Sequence, residues 1–165
     1  MQKAFTMIEL VFAIVVIGIL AAVAVPKMAP IIGDAQEAKA KSTLSSVRSA
    51  MATERQKRIL RGDIAHSIED LALKHGEGDG WGLPIFDYFD GNESLPLLDY
   101  PPRSCKSEGQ RRSCWRSYTK TFYNYFMSDG TRVKFSITKG RNILECKDDN
   151  SVTTAEAAAC KTLSQ

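Results

Sequence analysis

The chain is poor in the side chains that catalysis most often uses. It holds two histidines, His66 and His75, in 165 residues. Its serines stand in no nucleophile-elbow context, and no glycine-rich phosphate loop is present, which together argue against an enzyme. None of its four cysteines forms a Cys-x-x-Cys pair, and neither histidine is at a ligand-like spacing from a cysteine. A metal centre is therefore the weaker use of those thiols, and no cofactor is implied. A dominant charge is also missing. Lys and Arg number 22 against 19 Asp and Glu, for a net charge of +3. With the signs mixed along the chain, this balance does not by itself argue for nucleic acid.

Charge is almost absent at the N-terminus. Between Phe5 and Val25 every residue is apolar or small except Glu9 and the hydroxyl of Thr6. Those 21 residues make roughly 31 Å of helix, enough to cross the hydrocarbon core of a bilayer. A carboxylate inside such a run costs on the order of 2.5–3.5 kcal/mol, so it needs a reason.

Phe5-Thr6-Met7-Ile8-Glu9-Leu10, behind the short leader Met1-Gln2-Lys3-Ala4, closely resembles the N-terminus of type IV pilins and pseudopilins, the prepilin superfamily. The resemblance covers roughly the first 30 residues. It implies cleavage between Ala4 and Phe5 by a prepilin peptidase, N-methylation of Phe5, and an assembly role for Glu9. The family usually has Gly before the cut, and Ala4 is also small. Two other readings compete. An ordinary secretory signal peptide would use Lys3 as its basic region and Ala22-Val23-Ala24 as its cleavage site. An unrelated single-pass anchor would leave Glu9 without a purpose.

The expected organisation is a leader at 1–4, a transmembrane helix at 5–25, the periplasmic half of the same helix at 26–61 and a globular part at 62–165. The leader is too short to be anything but cytoplasmic, which places the rest of the chain beyond a bacterial inner membrane. One long helix is expected from about Thr6 to Arg61, stopped by Gly62. Pro26 and Pro30, with Gly33, predict a kink or a melted stretch around 22–33. Leu44, Val47, Met51 and Ile59 mark the face that packs on a sheet. Ser67-Ile68-Glu69-Asp70 reads as the start of a short capped helix ending near Gly76. Residues 76–104, with five Gly and four Pro, read as a long irregular connection. Three strands follow: one carrying Tyr118, Phe122 and Phe126, one with Val133, Phe135 and Ile137, and one at Asn142–Cys146, turned at Ser128–Thr131 and Lys139-Gly140. The fold class is α+β and pilin-like: a long N-terminal helix, its second half packed on a small antiparallel meander.

An even cysteine count in an exported domain favours two disulfides. Of three connectivities, the simplest pairs Cys105 with Cys114 and Cys146 with Cys160, each worth roughly 3 kcal/mol in the chain-entropy picture. Asp148-Asp149-Asn150 offers oxygen ligands, and some pseudopilins bind calcium near the C-terminus, but the spacing fits no known loop and a solvated turn is the simpler reading. Arg103, Lys106, Arg111, Arg112 and Arg116 cluster around the first two cysteines, with Tyr100 and Trp115 nearby, a composition that would suit DNA. Asp99 and Glu108 dilute it, so a solvated loop is the simpler reading. Trp81-Gly82-Leu83-Pro84 faintly resembles an element of major pseudopilins of type II secretion.

The favoured function is thus a pseudopilin subunit of a type II secretion filament. Its partners would be itself and other pilins, prepilin peptidase, the inner-membrane assembly platform and membrane lipid. The alternatives are a DNA-uptake pilus subunit and a soluble periplasmic binding domain freed by signal peptidase. Intact mass of the mature protein separates the last. We predict a chain beginning at Phe5 with one added methyl group; a chain beginning at Val25 would overturn the pilin reading.

Overall fold

A computed structural model describes residues 5–65, 67–73, 81–138, 140–147 and 152–164. The expectations placed on Ala4, His66, His75 and Asp148-Asp149-Asn150, and the expected end of a helix near Gly76, lie outside the described residues.

Helix α1 runs Met7–Leu60, close to the expected span. Its residues fall into two units, divided at Ala35. In the first unit every described side chain from Phe5 to Met28 is exposed. Among the described residues, α1 is the one helix long and apolar enough to cross a membrane. The melted stretch is not found: the backbone stays helical across Pro26 and Pro30. Each proline removes a single helical hydrogen bond, and the apolar run offers its remaining backbone groups no partner except the helix.

The second unit, Gln36–Gln165, holds the core. Four antiparallel strands lie in the order of the chain, β1 (Cys114–Thr119), β2 (Phe122–Phe126), β3 (Arg132–Thr138) and β4 (Ile143–Cys146). The expected first strand is in fact two, because Lys120 and Thr121 turn the chain between them and Trp115 pairs with Tyr125. Tyr118, Phe122 and Phe126 recur at every fourth residue, which is no strand period and marks two strands read as one. Along β3 the expected alternation holds, with Val133, Phe135 and Ile137 buried.

Ala40, Leu44, Val47 and Met51 of α1 are buried with the inner sheet residues in one cluster. Ile59 does not join them; it is 48% exposed. From Met51 the helical period reaches Glu54 and then Arg58, and these are the residues buried on that face. They pair with each other at 3.1 Å, and Arg58 reaches Asp90 at 2.7 Å.

Residues 67–73 form no helix. Their amides are taken by side chains instead. Asn142 Oδ1 accepts from Ile68, Asp90 Oδ1 from Glu69 and Asp70, the Tyr123 hydroxyl from Leu71, Asp70 Oδ1 from Ala72 and Asp87 Oδ1 from Leu73. That pattern satisfies six consecutive amides while Ile68, Leu71 and Ala72 fill the core.

A second helix, α2 (Thr154–Ser164), was not anticipated. Its start was legible as a capping box. Thr153 Oγ1 accepts from the Glu156 amide at 3.3 Å, and Glu156 Oε2 accepts from the Thr153 amide at 2.9 Å. The Thr153 amide holds the Glu156 carboxyl below its ordinary range. Leu163 enters the core and Glu156 pairs with Arg132 of β3.

Tyr123 is wholly buried in this scaffold, and burial followed by the Asp70 charge pushes its phenol well above 10. A folded pKa above the unfolded one contributes stability that is complete below about pH 10 and lost as pH rises further. We predict that Tyr123→Phe destabilises the second unit by about 1–3 kcal/mol at neutral pH by orphaning the Leu71 amide. Its alkaline stability profile should also be flatter than the parent's. Urea melts at pH 7 and pH 10.5 measure both effects, and unchanged melts at both would refute the assignment.

Candidate functional site

The candidate assembly site is the start of α1. Glu9 lies in its first turn and is exposed. Thr6 stands just ahead of the helix; its carbonyl accepts from the Leu10 amide at 3.2 Å and its Oγ1 from the Glu9 amide at 3.4 Å. Thr6-x-x-Glu9 therefore has the sequence of a capping box, with its threonine half made. Glu9 is also the one carboxylate among the exposed apolar side chains from Phe5 to Met28. Two things suit it there, the positive end of the helix dipole and any cation brought by a second molecule. The capping threonine was overlooked in the sequence, although its spacing to Glu9 was the available signal.

The basic cluster is divided: Arg103, Lys106 and Arg112 are exposed, whereas Arg111 and Arg116 are drawn into packing. Trp115 is in the core, its ring 5.0 Å from Tyr125, 5.1 Å from Phe86 and 5.3 Å from Phe135. Arg116 is also buried, and its guanidinium lies 3.5 Å from the centre of the Trp81 ring and 5.2 Å from Tyr118. Adjacent residues in a strand point to opposite sides, so Arg116 and Trp115 cannot share a surface. Arg111 pairs with Glu108 and lies 5.9 Å from the Trp81 ring and 5.7 Å from Phe126. Arg103 donates to the Gly82 carbonyl at 3.2 Å. Lys106 and Tyr100 remain exposed. Two of the supposed DNA ligands thus serve to close the segment at Trp81 over the outer face of the sheet. Trp81 had been noted only as part of a motif.

Both disulfides join near neighbours. Cys105 and Cys114 have Cα atoms 5.2 Å apart, and Cys146 and Cys160 6.1 Å apart. The first closes the loop that carries Arg111, and the second ties α2 to β4. Buried carboxylates at Asp70 and Asp87 bind backbone amides, as above, and no group of three or more His, Cys, Asp and Glu suited to a metal occurs among the described residues.

The N-terminal segment decides the comparison with known proteins. Residues 1–25 match the family model described as the prokaryotic N-terminal methylation motif. The chain carries that motif. It is also 48% identical, over 50 residues, to the type IV narrow pilus major component PilA5 of Thermus thermophilus. The match takes in 30% of this chain and 43% of that relative, so the chain spans less than half the length of the curated protein it matches. No solved structure matches. The long N-terminal helix followed by a four-stranded antiparallel sheet is a pilin-like architecture.

The Arg116–Trp81 stack yields a prediction. A desolvated cation–π contact is worth about 2 kcal/mol, so Arg116→Ala should lower the stability of the chain by about that amount. Urea unfolding followed by tryptophan fluorescence measures it, and a loss below about 0.5 kcal/mol, the range of ordinary surface changes, would contradict the structural role.

Proposed function

We propose that the protein is a structural subunit of a pilin-class filament, and more narrowly a pseudopilin of type II secretion. The observation that carries the filament reading is the exposed apolar first stretch of α1 with Glu9 as its single acid. In this reading residues 1–4 are the leader, 5–25 the membrane span and 26–61 the periplasmic part of the helix, ahead of a periplasmic globular part at 62–165. Prepilin peptidase cuts after Ala4 and methylates Phe5. The subunit then waits in the inner membrane until the assembly platform lifts it among its neighbours.

Leaving the bilayer makes the apolar stretch a problem that only other apolar helices solve. A lone carboxylate among them is strongly disfavoured unless paired. The new amine on Phe5 of an adjacent subunit supplies the opposite charge and favours one register of stacked helices over others. The narrower reading rests on Trp81-Gly82-Leu83-Pro84. A second reading, a pilus subunit, is favoured by the likeness to a pilus component. Loss of exoprotein secretion on deletion would support the first, and loss of surface pili the second.

For Glu9 the expected outcome is specific. Glu9→Val leaves expression, membrane insertion and the disulfide-bonded second unit intact, while incorporation into filaments falls by at least about a hundredfold, the effect of several kcal/mol. Quantitative immunoblotting of sheared filaments measures it. Normal incorporation of Glu9→Val would reduce Glu9 to the second half of a helix cap.

A further inference from the structure

In the second unit, α1 exposes large apolar side chains chiefly at its C-terminal end. Ile59 is 48% exposed, Leu60 87%, and Ile64, just past the helix stop, 82%. None is used by the core, because the buried stripe passes through Glu54 and Arg58 instead. The stop does not use them either. Gly62, at φ +83°, donates to the Ile59 carbonyl at 2.9 Å, and the Asp63 amide donates to the Arg58 carbonyl at 2.9 Å. In this type of stop the residue at the Asp63 position commonly packs back on the last turn as an apolar side chain. Here it is an aspartate, and Ile64 is left outside. Arg55, Lys57 and Arg61, all exposed, flank the three apolar residues. Arg55 also donates to the Arg141 carbonyl at 3.1 Å. An apolar centre with a polar rim, cationic at Arg55, Lys57 and Arg61 and acidic at Asp63, has the anatomy of a docking surface.

The same chain carries a stretch of complementary chemistry. Within residues 28–38, Met28 is 56% exposed, Ile31 60% and Ile32 55%. The charged residues of that stretch are Asp34, exposed, and Glu37, half-buried, while Lys27 and Lys39 stand just outside it. Aligned in parallel, a helix of this kind sets its isoleucines against Ile59 and Leu60 and its aspartate beside Arg61.

We infer that the Ile59–Leu60–Ile64 surface docks residues 28–38 of α1 from a second copy of this chain, with Asp34 of that copy facing Arg61. The inference rests on the filament reading and says which surfaces meet. The two patches differ, so the contact is heterologous, and a heterologous contact that does not close on itself propagates as an open helical array.

The test uses the full-length chain in cells that assemble it. All described cysteines are disulfide-bonded, so a short bismaleimide reacts with introduced thiols. A chain with both Ile31→Cys and Leu60→Cys should give a covalent ladder in isolated filaments, and neither substitution alone should. Arg61→Glu alone, and Asp34→Arg alone, should each cut filament yield at least about tenfold, and the two together should restore it to within about threefold. A thermal melt in detergent confirms that each variant is folded. The inference is overturned if filaments form but the ladder is absent, if single-cysteine chains cross-link to themselves or to another protein, or if both charge variants assemble normally. If the parent chain makes no filament at all, the filament reading itself is lost, and this contact with it.

Discussion

Six amides in a row, from Ile68 to Leu73, must be satisfied in a segment that sends Ile68, Leu71 and Ala72 into the core. A helix or a strand would have met that need with backbone carbonyls. Here the acceptors come from four separated places: Asn142 between β3 and β4, Tyr123 of β2, Asp87 and Asp90 of the long connection, and Asp70 within the segment itself. An unpaired buried amide costs roughly 1–3 kcal/mol, so the positions of the acceptors are all tied to one another. Asp90 adopts φ +53° and Asn142 φ +52°, left-handed conformations that short amide and acid side chains tolerate better than most. Each turns its chain so that its side chain reaches the segment. Asp90 also receives Arg58 from α1, so one carboxylate links the last turns of the helix to the connection.

The same logic extends to the sheet edge. β4 is a short outer strand, and its Leu144 carbonyl accepts from Arg48 of α1 at 3.0 Å. The Arg141 carbonyl at the preceding turn accepts from Arg55 in like manner. Covering an edge with donors from a helix blocks the strand addition that open edges invite. Burial lowers the pKa of the Arg48 guanidinium below its ordinary value, yet an arginine that far above neutrality stays charged. On the opposite edge, Cys105 donates to the Trp115 carbonyl at 2.9 Å, and the disulfide to Cys114 holds that segment beside β1.

The architecture was legible because its signals are periodic. The apolar run, the Leu44–Val47–Met51 stripe and the alternation in β3 each repeat often enough to outweigh local noise. What escaped reading depends on partners distant in sequence. Nothing local marks 67–73 as extended, since Ser67-Ile68-Glu69-Asp70 has a good cap pattern and loses to acceptors 14 to 74 residues away. Ile59 looked like core, until Glu54 and Asp90 made a buried Arg58 the better fit. The burial of part of the basic cluster escaped the sequence for the same reason. Composition cannot say that Arg116 lies under Trp81 while Trp115 faces the other way, although strand alternation, once β1 is placed correctly, requires it. Two local signals were simply passed over, the Thr153-x-x-Glu156 and Thr6-x-x-Glu9 boxes.

The Thr6–Glu9 arrangement sharpens what Glu9 has to do. In a completed capping box the glutamate side chain returns to the amide of the capping residue, in this case Thr6. Only the threonine half is made, and the carboxylate is left exposed. A cap contributes about 1 kcal/mol, and the helix dipole about 0.3–1 kcal/mol for an acid in the first turn. Each is smaller than the roughly 2.5–3.5 kcal/mol cost of an acid at the centre of a membrane span, although Glu9 lies at the start of the apolar run. Local helix chemistry therefore offsets only part of that cost, and the exposed carboxylate stays open to a charge-assisted contact. The threonine contributes by starting the helix at Met7, which places Glu9 in the first turn with its carboxylate exposed.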